Sequence, residues 1–356
     1  MRLKRSLTLM LAAVLLLGGG LPGLIHTTHT WTAQPVVQAP NTNEETLPPE
    51  TQAENDSFQA MFSQVADALP SLAPQVSPLD KTAVVPVLMY HHIDPDGEGS
   101  ASITPELFRE HMSALSQAGY AALFPDDLAA YVNGEMALPE KPVVITFDDG
   151  YLSNYQYAYP ILKETGMVAT IFVIGATVGN TEHYKDTNYP ITPHFSFQQG
   201  AEMVVSGIIS IQSHTYDMHQ WAPYETSDHP RVNILPLAGE TEEEYRAFLS
   251  ADCQKIRQAI LEGTGEPKVH AMAYPSGKWN DLAQQVLLEN GFDITFTTTP
   301  GCALLVKGDP QSLLGLPRYD MSRPVTVEAL LNLVSPARGT PLNQAPETGE
   351  TPPATE

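Results

Sequence analysis

An α/β fold organised around a mainly parallel sheet is the class that the sequence predicts, either closed as a (β/α) barrel or left open. Short apolar runs alternate with amphipathic stretches through residues 84–335. Most of these runs are apolar throughout instead of alternating with polar residues, as expected for strands covered on both faces. Length adds a third constraint. At 356 residues the chain exceeds one ordinary domain and falls short of three, so one large domain with appendages is expected.

Read in order, residues 1–25 (MRLKRSLTLMLAAVLLLGGGLPGLI) place Arg2, Lys4 and Arg5 before an apolar run. That is the pattern of an export signal, and its length also suits an uncleaved membrane anchor with the basic flank inside. Either way the chain is expected to work outside the cytoplasm, anchored or secreted. Residues 26–83 are rich in Thr, Pro, Gln and Glu, which reads as a solvated linker. Within it, Phe58, Met61, Phe62, Val65 and Leu69 have the spacing of a short helix. The folded domain is expected over 84–335, and a polar tail over 336–356.

Inside the domain the expected strands are VVPVLMY (84–90), YAALF (120–124), PVVITF (142–147), VATIFVI (168–174), GIISIQ (207–212), HAMAY (270–274) and FDITFTT (292–298). One helix is expected to start at Thr104-Pro105 and close at Gly119, from N-cap, Pro and C-terminal Gly signals. Thr241 and Glu244 form a capping-box pattern that opens a second helix through about Leu261.

Composition excludes some functions. With 41 acidic and 18 basic side chains the formal charge is -23, so nucleic acid is not an expected partner. Two cysteines, Cys253 and Cys302, rule out a disulfide-stapled scaffold, although one bridge between them is compatible with the sequence.

Two adjacent carboxylates, Asp148 and Asp149, follow PVVITF where a buried strand breaks into a loop. Barrel enzymes place active-site groups at that end of a strand, whereas a helix cap plus a turn would use the same residues structurally. Neighbouring side chains diverge, so the pair suits one metal ligand and one base better than the two-carboxylate chemistry of glycosidases. His214 and His219 follow GIISIQ. Five residues apart they would lie about 140° apart on a regular helix, so binding one ion requires a loop or distorted turn. Two imidazoles and one carboxylate make a transition-metal site with open positions. VPVLMY runs into His91 and His92, of which strand alternation turns only one toward a barrel axis. A free imidazole near a metal is a natural general acid.

Taken together, TFDDGY (146–151), SHTYDMH (213–219), AYPSG (273–277) and LPRYD (316–320) resemble the polysaccharide deacetylases of carbohydrate esterase family 4, the NodB-homology domain. The resemblance implies an irregular (β/α) barrel, a divalent metal, zinc first among them, and hydrolytic deacetylation of a sugar polymer. Carried over, Asp148 would be the base, and Asp149, His214 and His219 the metal ligands. The backbone N–H of Tyr151 would donate to the oxyanion.

The sequence departs from the commoner family pattern in three places. The histidines are five apart instead of four, which is similar to the poly-N-acetylglucosamine deacetylase subgroup. Ala273 and Tyr274 stand where many members carry a base-orienting Arg, so that role is vacant or falls to Arg318. Tyr274 and Arg318 are therefore grouped with Tyr151 as candidate oxyanion or substrate residues. LLNLVS (330–335) lacks the usual acid motif, and in the permuted subgroup the acid comes from the first strand, where His91 is the match.

The expected function is metal-dependent removal of N-acetyl groups from an N-acetylglucosamine polymer of the cell envelope or a biofilm, by a monomer. A catalytically impaired carbohydrate-binding protein, an O-acetyl esterase and a metal-independent glycosidase are the alternatives. Inserts 181–195 and 223–240 could line a groove, with Tyr184, Tyr189, Trp221 or Tyr224 stacking on sugars, or could be surface loops. His194, His229 and His270 are read as structural.

Overall fold

The computed structural model describes residues 81–335 apart from 98, 100, 226, 323 and 324. The expected leader or anchor, nearly all of the linker with its short helix, and the tail lie outside these residues. Among the described residues no helix is long and apolar enough to cross a membrane.

The chain forms β1 (Thr82–Tyr90), β2 (His92–Ile93), β3 (Ser102–Ile103), α1 (Pro105–Gln117), β4 (Ala121–Leu123), α2 (Pro125–Val132) and β5 (Pro142–Phe147). A π-helical turn (Asn154–Ala158) leads into α3 (Tyr159–Thr165), then β6 (Ala169–Val173), α4 (Phe197–Val205), β7 (Ile209–Ser213) and α5 (Glu242–Thr264). β8 (Ala271–Ala273), α6 (Asp281–Glu289), β9 (Ile294–Phe296), β10 (Cys302–Val306), β11 (Tyr319–Asp320) and α7 (Val327–Val334) complete it. The two helix starts read from sequence are present. Thr104 caps α1 through Leu107 N, and Thr241 and Glu244 form the reciprocal capping box of α5.

The sheet runs β10-β1-β5-β6-β7-β8-β9. Its strands are parallel except for β10, which lies antiparallel to β1. The sheet curls, and one late segment links its ends. Leu316 bridges Phe296 on β9, and Tyr319 and Asp320 pair with Leu88 and Met89 on β1. The result is a distorted barrel with one mixed edge, in agreement with the predicted class. β10 escaped the sequence reading, because CALLV is half solvent-facing at this edge and carries only a short apolar signal.

Two apolar cores separate along the period-two alternation of the strands. Val85, Val87, Val144, Phe172, Ala271, Ala273, Ile294 and Phe296 fill the concave interior with Leu128 and Val132 of α2. Tyr90, Val143, Ile145, Phe147, Ile171, Ile209, Ile211 and Met272 face the outer helices. This alternation places functional side chains. Val144, Thr146 and Asp148 share the inward face, as do Ser210, Gln212 and His214, and Val87, Met89 and His91. Cys253 and Cys302 are both free, so the bridge compatible with the sequence is not formed.

Candidate functional site

Asp148 and Asp149 begin the loop after β5, and their backbones differ. Asp148 continues the strand register, its N–H donating to Tyr90 O at 3.0 Å. Asp149 adopts φ 73°, a left-handed conformation that costs a non-glycine residue of order 1 kcal/mol or more and needs surrounding structure to hold it. That break in the strand sends the two carboxylates in different directions. Asp149 Oδ1 lies 3.6 Å from His214 Nε2 and 3.8 Å from His219 Nε2, and it is buried without a hydrogen-bond partner.

His214 and His219 flank an irregular turn, as their spacing required. Thr215 within it has φ 74°, its hydroxyl accepts from Met218 N, and the Asp252 carboxylate accepts from the N–H groups of Tyr216 and Asp217. His214 Nδ1 lies 2.8 Å from Ala273 O, and His219 Nδ1 lies 3.2 Å from Val232 O. A carbonyl can only accept, so both rings carry their proton on Nδ1 and turn the Nε2 lone pair toward Asp149. Burial pushes the His214 pKa down to about 4 against the opposing charge of Asp148, which keeps the ring neutral near pH 7. Three ligand atoms within 4.8 Å of one another, two neutral nitrogens and one orphaned carboxylate oxygen, fit a divalent transition metal.

Asp148 is held on its other side by Arg318. Nη1 meets Oδ1 and Nη2 meets Oδ2, each at 2.7 Å. Arg318 Nε donates to Thr297 O at 2.8 Å, and the guanidinium sits in the barrel interior near the rings of Phe172 and Phe296. Burial alone would raise the Asp148 pKa. The Arg318 charge, His214 and the two Arg318 hydrogen bonds outweigh it and hold the carboxyl well below the usual range.

His91 is half-buried, with Nδ1 3.3 Å from Ser322 Oγ, and its charge acts on both Asp148 and Asp149. His92 turns away and bonds Ser153 Oγ at 2.7 Å. Tyr151 forms a bridge pair with His194. The flanking bonds, Leu152 N to Pro193 O and Phe195 N to Gly150 O, make this the wide pair of the ladder, so the Tyr151 N–H points away from His194. Charge from Asp149, burial and a hydrogen bond to Asp149 raise the Tyr151 phenol pKa. Tyr274 is placed elsewhere than its grouping with the site implies. It is fully buried on the outer face of β8, with its hydroxyl on Gln284 and on Thr295, so its side chain does not line the site.

A cavity of about 320 Å³ is lined by Asp149, Tyr151, His194 and His219 together with Tyr184, Trp221 and Tyr224. His194, read from sequence as structural, thus borders the site, its ring tilted 39° against Tyr151 at 5.1 Å and its Nδ1 unpartnered. A lone His in an insert carried no signal for this. His270 does sit apart from the site, between Asp126 and Asp293.

The family profile described as polysaccharide deacetylase matches residues 135–295. The Bacillus subtilis protein YxkH, described as a candidate polysaccharide deacetylase, is 33% identical over 224 residues, covering 63% of this chain and 68% of its own. The poly-beta-1,6-N-acetyl-D-glucosamine N-deacetylase of Escherichia coli K12 is 27% identical over 61% of this chain, which spans only 34% of that relative's length. Among solved structures, IcaB from Ammonifex degensii superposes with a TM-score of 0.56 at 27% identity, covering 70% of this chain and 97% of that one.

Proposed function

Since this chain belongs to the polysaccharide deacetylase family, we propose that it removes N-acetyl groups from a poly-N-acetylglucosamine-type polysaccharide, using a divalent metal held by Asp149, His214 and His219. The observation that carries this reading is the convergence of two Nδ1-protonated imidazoles on the unpartnered Oδ1 of Asp149. Zinc is the first choice for two nitrogens and one carboxylate oxygen with positions left open. When bound, such a cation supplies Lewis acidity toward the acetyl carbonyl and lowers the pKa of water.

The remaining chemistry belongs to the chain. Asp148, ionised and fixed by Arg318, accepts the proton of the attacking water. The Tyr151 backbone N–H donates to the developing oxyanion. His91 donates a proton to the departing amine, because its strand turns it inward beside both carboxylates and it is not among the metal ligands. Water adds to the acetyl carbon, the carbon–nitrogen bond breaks, and acetate and a free amine leave.

We place the activity at the cell envelope, on the basic and then apolar run of residues 1–25. The test is acetate release by the purified full-length protein from poly-N-acetylglucosamine oligomers, chitin oligomers, peptidoglycan and acetylated xylan, with chelation and zinc restoration. The expected result is release from poly-N-acetylglucosamine, lost on chelation and restored by metal. Release from acetylated xylan alone would favour the O-acetyl reading. No release despite bound metal would overturn the enzyme in favour of a binding protein.

A further inference from the structure

We infer that residues 231–240 form a strap that orients the metal ligand His219, with Arg231 and Glu240 as the positioning residues that hold the strap shut. The inference rests on the metal-binding reading of Asp149, His214 and His219. It gives a role to an insert whose sequence suggested only a groove wall or a surface loop.

The two histidines are held differently. His214 gives its Nδ1 proton to Ala273 O at 2.8 Å, a carbonyl of β8, and its side chain is 3% exposed. His219 gives its Nδ1 proton to Val232 O at 3.2 Å, and its side chain is 27% exposed. A barrel strand therefore fixes one ligand, and the insert fixes the other. An imidazole without an acceptor at Nδ1 is free to carry its proton on Nε2 instead, and in that tautomer the nitrogen facing Asp149 has no lone pair to offer. The place of the Val232 carbonyl thus decides how much of His219 is ready to bind.

Several contacts hold that carbonyl where it is. Gln220 and Arg231 clasp each other, Gln220 N donating to Arg231 O at 2.9 Å and Arg231 N donating to Gln220 Oε1 at 2.7 Å. The Arg231 guanidinium reaches across the loop to both carboxylate oxygens of Glu240, and Glu240 Oε2 also accepts from Leu237 N at 2.9 Å. The two side chains of this pair are only 9% and 10% exposed, so removing either one strands the charge of the other and releases the loop. From α5, the Phe248 ring lies 3.9 Å beneath the guanidinium, and the Tyr245 hydroxyl donates to Ile234 O at 2.6 Å. Asp252 of the same helix accepts from Tyr216 N and Asp217 N. The helix grips the histidine turn twice, once through that carboxylate and once through the strap. Residues 231–240 lie outside the cavity lining, so their effect reaches the site through His219.

The test compares the full-length protein with Arg231→Met, Arg231→Lys and Glu240→Gln. The control is Arg246→Met, which removes ion pairs to Glu242 and Glu289 on the exposed side of α5. Zinc affinity is measured by competition calorimetry, and the His219 tautomer by nitrogen NMR of the metal-free proteins, its signal identified by its loss in His219→Gln. In Arg231→Met the zinc dissociation constant is expected to rise roughly 10–100-fold, the size of a lost partner behind a metal ligand, and the His219 proton to spread from Nδ1 onto Nε2. Glu240→Gln, which keeps the shape of the pair, shifts both readouts less in the same direction. Arg231→Lys falls between wild type and Arg231→Met, and Arg246→Met matches wild type. An affinity within about twofold of wild type, or an unchanged tautomer, in Arg231→Met would overturn the strap, and Glu240→Gln decides by the same criteria if Arg231→Met does not fold. If the wild type binds no zinc, the metal reading falls, and the tautomer still decides the strap by itself.

Discussion

Arg318 and Asp148 form a two-pronged ion pair across 170 residues of sequence, with both side chains closed to solvent. A buried pair of this kind is stabilising only while both partners are present, because removing one leaves the other charged in a low-dielectric interior. Arg318→Met should therefore cost about 3–5 kcal/mol of stability in urea unfolding. Arg318→Lys should retain part of that stability and lose turnover, because an ammonium cannot hold both carboxylate oxygens in one plane. Full activity in the Lys variant would remove the orienting role.

Base and ligand should separate experimentally. Asp148→Asn is expected to lower kcat by at least about a hundredfold and leave zinc affinity nearly unchanged. His214→Ala should lose zinc and activity together. Equal zinc loss in the two variants, read by calorimetry, would break the assignment.

His91→Asn is expected to slow acetate release by roughly a hundredfold with metal affinity retained. His92→Asn, which alters a ring bonded to Ser153, should have the smaller effect. The reverse order would transfer the proton-donor role to the second histidine.

Stability should fall with alkalinity through His270. Burial lowers its pKa, but hydrogen bonds and charge from Asp126 and Asp293 outweigh burial and leave it raised. A raised basic pKa contributes stability that is complete below the unfolded value, about 6.5, and is lost as pH rises through the folded one. Thermal unfolding between pH 5.5 and 8.5 should show a larger decline in wild type than in Asp293→Asn. Identical slopes would exclude the clamp.

Gly277→Ala should destabilise by more than about 1 kcal/mol, because Gly277 has φ +65° and a Cβ there would collide with the Thr298 side chain. Differential scanning calorimetry measures this directly, and an unchanged Tm would show that the turn yields.

Much of the site was legible because strand alternation is a strong, local signal. Asp148, His214 and His91 each extend the inward face of an apolar run by one more step. The same rule places Ala273 inward and Tyr274 outward, so the grouping of Tyr274 with the site ran against information present in the sequence. Arg318 was harder to place. It precedes a strand of only two residues, Tyr319–Asp320, too few for any period, and its partner lies far away in sequence. His194 was invisible for another reason, since an insert without periodicity gives no direction to its side chains.

The segment that closes the barrel also sets when the site can exist. During synthesis Asp148 emerges long before Arg318, and until residues 316–320 dock between β9 and β1 its carboxylate lacks its guanidinium partner. Docking of that one segment therefore completes the ring and assembles the ion pair together.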